Sequence, residues 1–85
     1  MSKLIPAAER IVRARALIQQ ARDLPVPVEN GKNDLSYIAQ VKDLLRQARE
    51  LVGLIPLRAG VTPEMKAEVN SIVRESEQAD LEILR

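Results

Sequence analysis

Proline placement constrains this chain more than any other feature. Pro25 and Pro27 follow one amphipathic stretch, Pro56 closes a second, and Pro63 opens a third. A proline inside a helix removes a backbone donor and collides with the preceding turn, so each of these residues marks a boundary. Between the boundaries, apolar residues recur at the helical period of about 3.6. The pattern predicts helices over about 6–24, 34–54 and 63–84 of the 85 residues, within one helical domain spanning 1–85.

The first predicted helix admits Pro6 in its opening turn, where a missing N–H leaves nothing unpaired. Ala7, Ile11, Ala14, Leu17, Ile18, Ala21 and Leu24 share one face, rich in alanine and suited to close approach by a neighbour. The second helix takes Asn33 or Asp34 as its cap. Its apolar set is Leu35, Ile38, Val41, Leu44, Leu45, Ala48, Leu51, Val52 and Ile55, with Tyr37 on the margin. Gly53 offers a left-handed cap at its end, or the helix runs on to Leu54 or Ile55. Thr62-Pro63-Glu64 forms a strong start for the third helix: a capping hydroxyl, a proline at the first position and an acid at the positive end of the dipole. Met65, Val69, Ile72, Val73, Ala79 and Ile83 form its stripe, with Ser76 in the middle and Leu81 outside it.

An internal echo accompanies these helices. Gln20-Ala21-Arg22-Asp23-Leu24 matches Gln47-Ala48-Arg49-Glu50-Leu51, and Ile11, Leu17 and Ile18 fall on Ile38, Leu44 and Leu45. Two readings stand: chance similarity between amphipathic helices of biased composition, or a duplicated helix in a pseudo-symmetric hairpin. The fold class expected is all-α, either a three-helix up-down bundle or a helical hairpin plus a third helix. Dimerisation would complete it, because a chain this small buries only enough surface to narrowly exceed its conformational entropy.

The chemistry available is narrow. The chain has no histidine, cysteine, tryptophan or phenylalanine, and Tyr37 is its single aromatic residue. It therefore lacks an imidazole to move protons near neutral pH and a thiolate to attack a substrate or hold a soft metal. Its serines, at 2, 36, 71 and 76, have no histidine to activate them. Glu75, Glu77, Asp80 and Glu82 read as solvated acids on a helix flank. Asn30-Gly31-Lys32-Asn33-Asp34 lacks the alternating acids and terminal glutamate of a calcium loop, and three glycines at 31, 53 and 60 make no phosphate cradle. No catalytic residue, metal site, cofactor or small-molecule substrate is expected. A helix-turn-helix centred on Ala59-Gly60-Val61-Thr62 fails because Pro56 interrupts the preceding helix and Lys66 stands where an apolar residue is needed. The longest apolar runs, such as 51–57, are too short to cross a bilayer, and the N-terminal patch 4–8 is too short for a secretory signal. A basic first helix lying on a membrane is disfavoured by the lack of Trp and Phe. The expectation is a cytoplasmic protein without a membrane partner.

Charge is distributed unevenly although the net value is only +1. Residues 1–24 carry five basic residues against two acids, and residues 63–85 carry six acids against three basic residues. Arg15 and Arg22 border the apolar face of the first helix on one side, Arg13 borders it on the other, and Arg10 lies close to the apolar arc. Such a splayed set suits pairing with the acidic third helix, within the chain or from a second copy, better than tracking phosphates. The expected function is thus a non-enzymatic interaction or assembly module, self-associating as a homodimer or docking as an accessory subunit. Arg10, Arg13, Arg15, Arg22, Leu44, Leu51, Ile72, Glu75, Asp80 and Leu81 are its candidate interaction residues. The alternative is a small nucleic-acid-binding regulator using the arginines of the first helix.

Overall fold

The computed structural model describes residues 6–84. They form three α-helices, α1 (Ala7–Asp23), α2 (Leu35–Gly53) and α3 (Pro63–Leu84), with single 3-10 turns at Gly31–Asn33 and Ile55–Leu57. Lys3, Leu4, Ile5 and Arg85, which enter the sequence patterns above, lie outside the described residues. Each helix touches both others, so the protein is an all-α three-helix bundle. The guanidinium of Arg10, near the start of α1, donates to the Leu51 carbonyl near the end of α2, whereas Arg22 and Glu82 join the C-terminal ends of α1 and α3. Hence α2 runs antiparallel to α1, and α3 runs parallel to it.

Local chemistry accounts for the helix ends. Pro6 stands one position outside α1, and its carbonyl accepts from the Arg10 N–H at 3.0 Å. Leu24 is extended (φ −60°, ψ 130°), as a residue preceding proline must usually be. Of the two candidate caps for α2, Asp34 is the one used: its carboxylate accepts from the Tyr37 N–H at 2.9 Å. Thr62 caps α3 by accepting from the Met65 N–H at 3.1 Å. Gly60, at φ 80°, supplies the left-handed turn that lets the chain reverse into this cap.

The end of α2 departs from expectation. Gly53 is not a left-handed cap; it is the last helical residue, and Leu54 follows at φ −95°, ψ −6°. The chain then tightens into a 3-10 turn, with the Leu57 N–H on the Leu54 carbonyl at 3.1 Å. This turn accommodates Pro56 and swings Ile55 into the core, where it is 1% exposed. Burial of Ile55 replaces the glycine cap as the feature that ends the helix.

The core is a single cluster built from Ile11, Ala14, Ile18 and Ala21 of α1, Val41, Leu45, Ala48 and Val52 of α2, and Val69, Ile72 and Ala79 of α3, with Tyr37 and Ile55 at its ends. Two assignments on α2 are corrected. Tyr37 is buried rather than marginal, and Leu35, expected in the apolar set, is 82% exposed. At about 100° per residue Leu35 lies about 120° round the helix from Val41, off the stripe that Tyr37, Val41, Leu45, Ala48 and Val52 define. Ser76 is completely buried in the middle of the α3 stripe and is satisfied there: its hydroxyl donates to the Val73 carbonyl at 2.8 Å and accepts from Arg49 at 3.4 Å.

The echo between α1 and α2 coincides with equivalent burial at three positions, whereas Ile11 is buried and its counterpart Ile38 only half-buried. Ala14, Ile18 and Ala21 correspond to Val41, Leu45 and Ala48, and all six are core residues. Leu45→Ala and Ile72→Ala are each expected to cost about 2–5 kcal/mol, whereas Leu35→Ala should stay within about 0.5 kcal/mol. Urea unfolding followed by circular dichroism measures all three, and a large loss at Leu35 would contradict the α2 face described here.

Candidate functional site

With the core closed, the charged residues form a second layer of contacts between helices. Glu68, Glu75 and Glu82 recur every seven residues on one flank of α3, and Arg15 and Arg22 recur at the same interval on α1. Two parallel helices bring such repeats together. Arg15 reaches Glu68 at 3.2 Å and Glu75 at 3.5 Å, and Arg22 reaches Glu82 at 2.8 Å. On the other flank of α3, Lys42 of α2 pairs with Asp80 at 3.4 Å. Glu75 also accepts from the Ser71 hydroxyl at 3.1 Å. The charge asymmetry between the ends of the chain is thus matched within one molecule. Glu68, Glu82 and Lys42 were not among the sequence candidates, although the seven-residue spacing of the acids and of the arginines was the signal that could have found the first two.

Arg10, Arg13 and Arg46 are engaged as well. Arg10 is half-buried beside the α1–α2 seam; one of its terminal nitrogens donates to the Leu51 carbonyl at 3.1 Å, and its buried Nε has no protein partner. A cation there satisfies one of the last carbonyls of α2 and complements the negative end of its dipole. Arg13 makes a pair at 3.4 Å with Glu9 on the same helix. Arg46 bridges Asp43 and Glu50 on the surface of α2.

The apolar candidates divide sharply. Ile72 has no exposed surface and holds α3 to its neighbours, while Leu44 and Leu51 are half-buried against the core edge. Leu81 alone of the ten stands as an apolar side chain on the open surface, at 60% exposure. Two shallow grooves flank it: one of about 520 Å³ lined by Arg74, Glu77, Gln78 and Glu82, the other of about 400 Å³ lined by Arg49, Glu77 and Asp80. Both are open to solvent rather than enclosed. Among the described residues no group of three or more acids is gathered closely enough to hold a metal ion, and no helix is long and apolar enough to cross a membrane. No known protein family, curated protein or solved structure shows a significant match to this chain.

The ladder of ion pairs between α1 and α3, and the Arg46 cluster on α2, have an electrostatic signature. Glu82 is held below its ordinary 4.5, first by the hydrogen bond from Arg22 and then by the one from Gln78. Asp43 is likewise held below 3.8, by Arg46 and then Gln47. A carboxylate whose pKa is depressed by folding adds stability that is full above its unfolded value and is lost as pH falls through its folded value. The melting temperature should therefore be flat from neutrality to about pH 5 and fall below that point. Glu82→Gln should lower it at neutral pH and make the acid fall shallower. Thermal melts across a pH series test this, and an unchanged acid fall in the variant would remove the Arg22–Glu82 pair from the account.

Proposed function

We propose that this chain is a non-enzymatic helical interaction module, associating with a second copy of itself or docking as an accessory subunit of a larger assembly. One observation carries the reading: four leucines stand on the open surface while four alanines take fully buried places in the core. Ala14, Ala21, Ala48 and Ala79 have no exposed surface, whereas Leu35, Leu54, Leu57 and Leu81 are 60–82% exposed. Fully burying a leucine side chain is worth about 1.5–3 kcal/mol, so four exposed leucines leave a large return for any partner that covers them. Leu54 and Leu57 are neighbours at the ends of one 3-10 turn, and Leu81 lies on α3. The absence of histidine and cysteine turns the reading away from catalysis.

A cytoplasmic setting fits a chain without cysteine and belongs to this proposal. The nucleic-acid alternative gains no support from the arrangement of α1. Arg13, Arg15 and Arg22 each face a carboxylate, and Arg10 faces a carbonyl, so binding phosphates would require breaking contacts already made.

Sedimentation equilibrium of the full chain from micromolar to millimolar concentration tests the reading. The apparent mass is expected to rise with concentration, and a variant with Leu35, Leu54, Leu57 and Leu81 all changed to Lys is expected to stay helical and monomeric. A natural chain that remains monomeric throughout would overturn self-association. Salt-sensitive gel-shift binding of nucleic acid, lost in Arg15→Glu, would overturn the module reading in favour of its alternative.

A further inference from the structure

Four charges of α3 make no ion pair among the described residues: Glu64 and Lys66 at its start, and Arg74 and Glu77 in its second half. Glu68, Glu75 and Glu82 face the arginines of α1 and Asp80 faces Lys42. Arg74 and Glu77 have opposite charge, are three positions apart and line the same groove beside Leu81. At about 100° per residue, Ala67, Asn70, Arg74, Glu77, Gln78 and Leu81 fall within an arc of about 100° on the side of α3 directly opposite Ile72 and Ser76. All six are exposed.

We infer that this outer face of α3 is a self-docking surface, on which α3 of a second copy lies antiparallel about a two-fold axis level with the Glu75–Ser76 bond. An isologous contact must complement itself, and this register does so. It sets Arg74 opposite Glu77 of the second copy and, by symmetry, Glu77 opposite Arg74, so these two charges are neutralised in two symmetry-related pairs. The same axis sets Leu81 against Asn70 of the second copy, with Ala67 beside it, one residue small and the other polar but slender. The arrangement has the layer pairing of an antiparallel helix pair and keeps α1 and α2 of both copies on the outside, away from the contact. Opposite charges in this register also select the antiparallel orientation, because a parallel pairing in register would place Arg74 on Arg74 and Glu77 on Glu77. One helix face per copy is a small contact, so the dimer is weak and salt-sensitive.

This inference rests on the self-association reading above, and charge reversal separates the two. The full chain is compared with Arg74→Glu, Glu77→Arg, the double reversal and Leu81→Lys by sedimentation equilibrium, with circular dichroism melts as the check on folding. Each single reversal and Leu81→Lys should raise the dimer dissociation constant about tenfold or more, a change of about 1.4 kcal/mol. The double reversal, which restores opposite charges across the axis, should bring it back to near the natural value. A dimer indifferent to either single reversal, or one not rescued by the double, would overturn this face while leaving self-association standing. A chain monomeric at every concentration would overturn both.

Discussion

Alanine in the core decides how close these helices come. Ala14 and Ala21 of α1, Ala48 of α2 and Ala79 of α3 are completely buried, and Leu45 is the single fully buried leucine among the described residues. Small side chains at the seams let the backbones approach closely, and the β-branched residues Ile18, Val41, Val52 and Ile72 fill the spaces between them with few accessible rotamers. A core of this kind is narrow, and its stability comes from fit more than from buried area. Enlarging any of the four alanines would push helices apart along their length, because interiors at this density have little void to absorb a methylene.

Close helices also fix what the surface charges can reach. With α1 parallel to α3, the seven-residue repeats of arginine and glutamate come into register along the whole contact, and Arg15 can bridge two successive acids. Exposed pairs of this sort contribute little stability individually. Their value lies in discrimination. Sliding α3 by one turn past α1 would put Arg22 out of reach of Glu82 and bring carboxylates against the apolar edge of α1. The packing supplies the attraction and the ladder specifies the register, a division of labour also seen where flanking charges select helix partners.

Features written in a few adjacent residues were legible in the sequence. The Asp34 and Thr62 caps and the proline boundaries each depend on about one turn of chain, and they appear where the residues predict them. Features requiring two segments at once were less so. Leu35 sits three residues before Ile38 and looks like part of its stripe, but the stripe is centred by Tyr37 and Val41, whose burial depends on what the other helices offer. Gly53 resembles a cap until Ile55 is seen to need a place in the core. The opposite charge of the chain ends was legible, yet whether it acts within one molecule or between two was not. Antiparallel α2 between two parallel neighbours settles that, since the direction of α3 brings its acids alongside the arginines of α1.

Matching those charges internally has a consequence for how the surface behaves. If the basic and acidic helices of separate copies were each unpaired, any copy could meet any other along extended complementary faces, and association would run on without closing. Pairing Arg15 and Arg22 inside the chain removes that route. The remaining apolar side chain on α3, Leu81, is ringed by Arg74, Glu77, Gln78 and Glu82, so covering it requires a partner that also answers the charges around it. Desolvating a charge without a counter-charge costs more than one leucine returns. On the self-docking proposal, a polar ring around a lone leucine would act as a filter, rejecting generic apolar surfaces and admitting one whose charges are arranged in the opposite order.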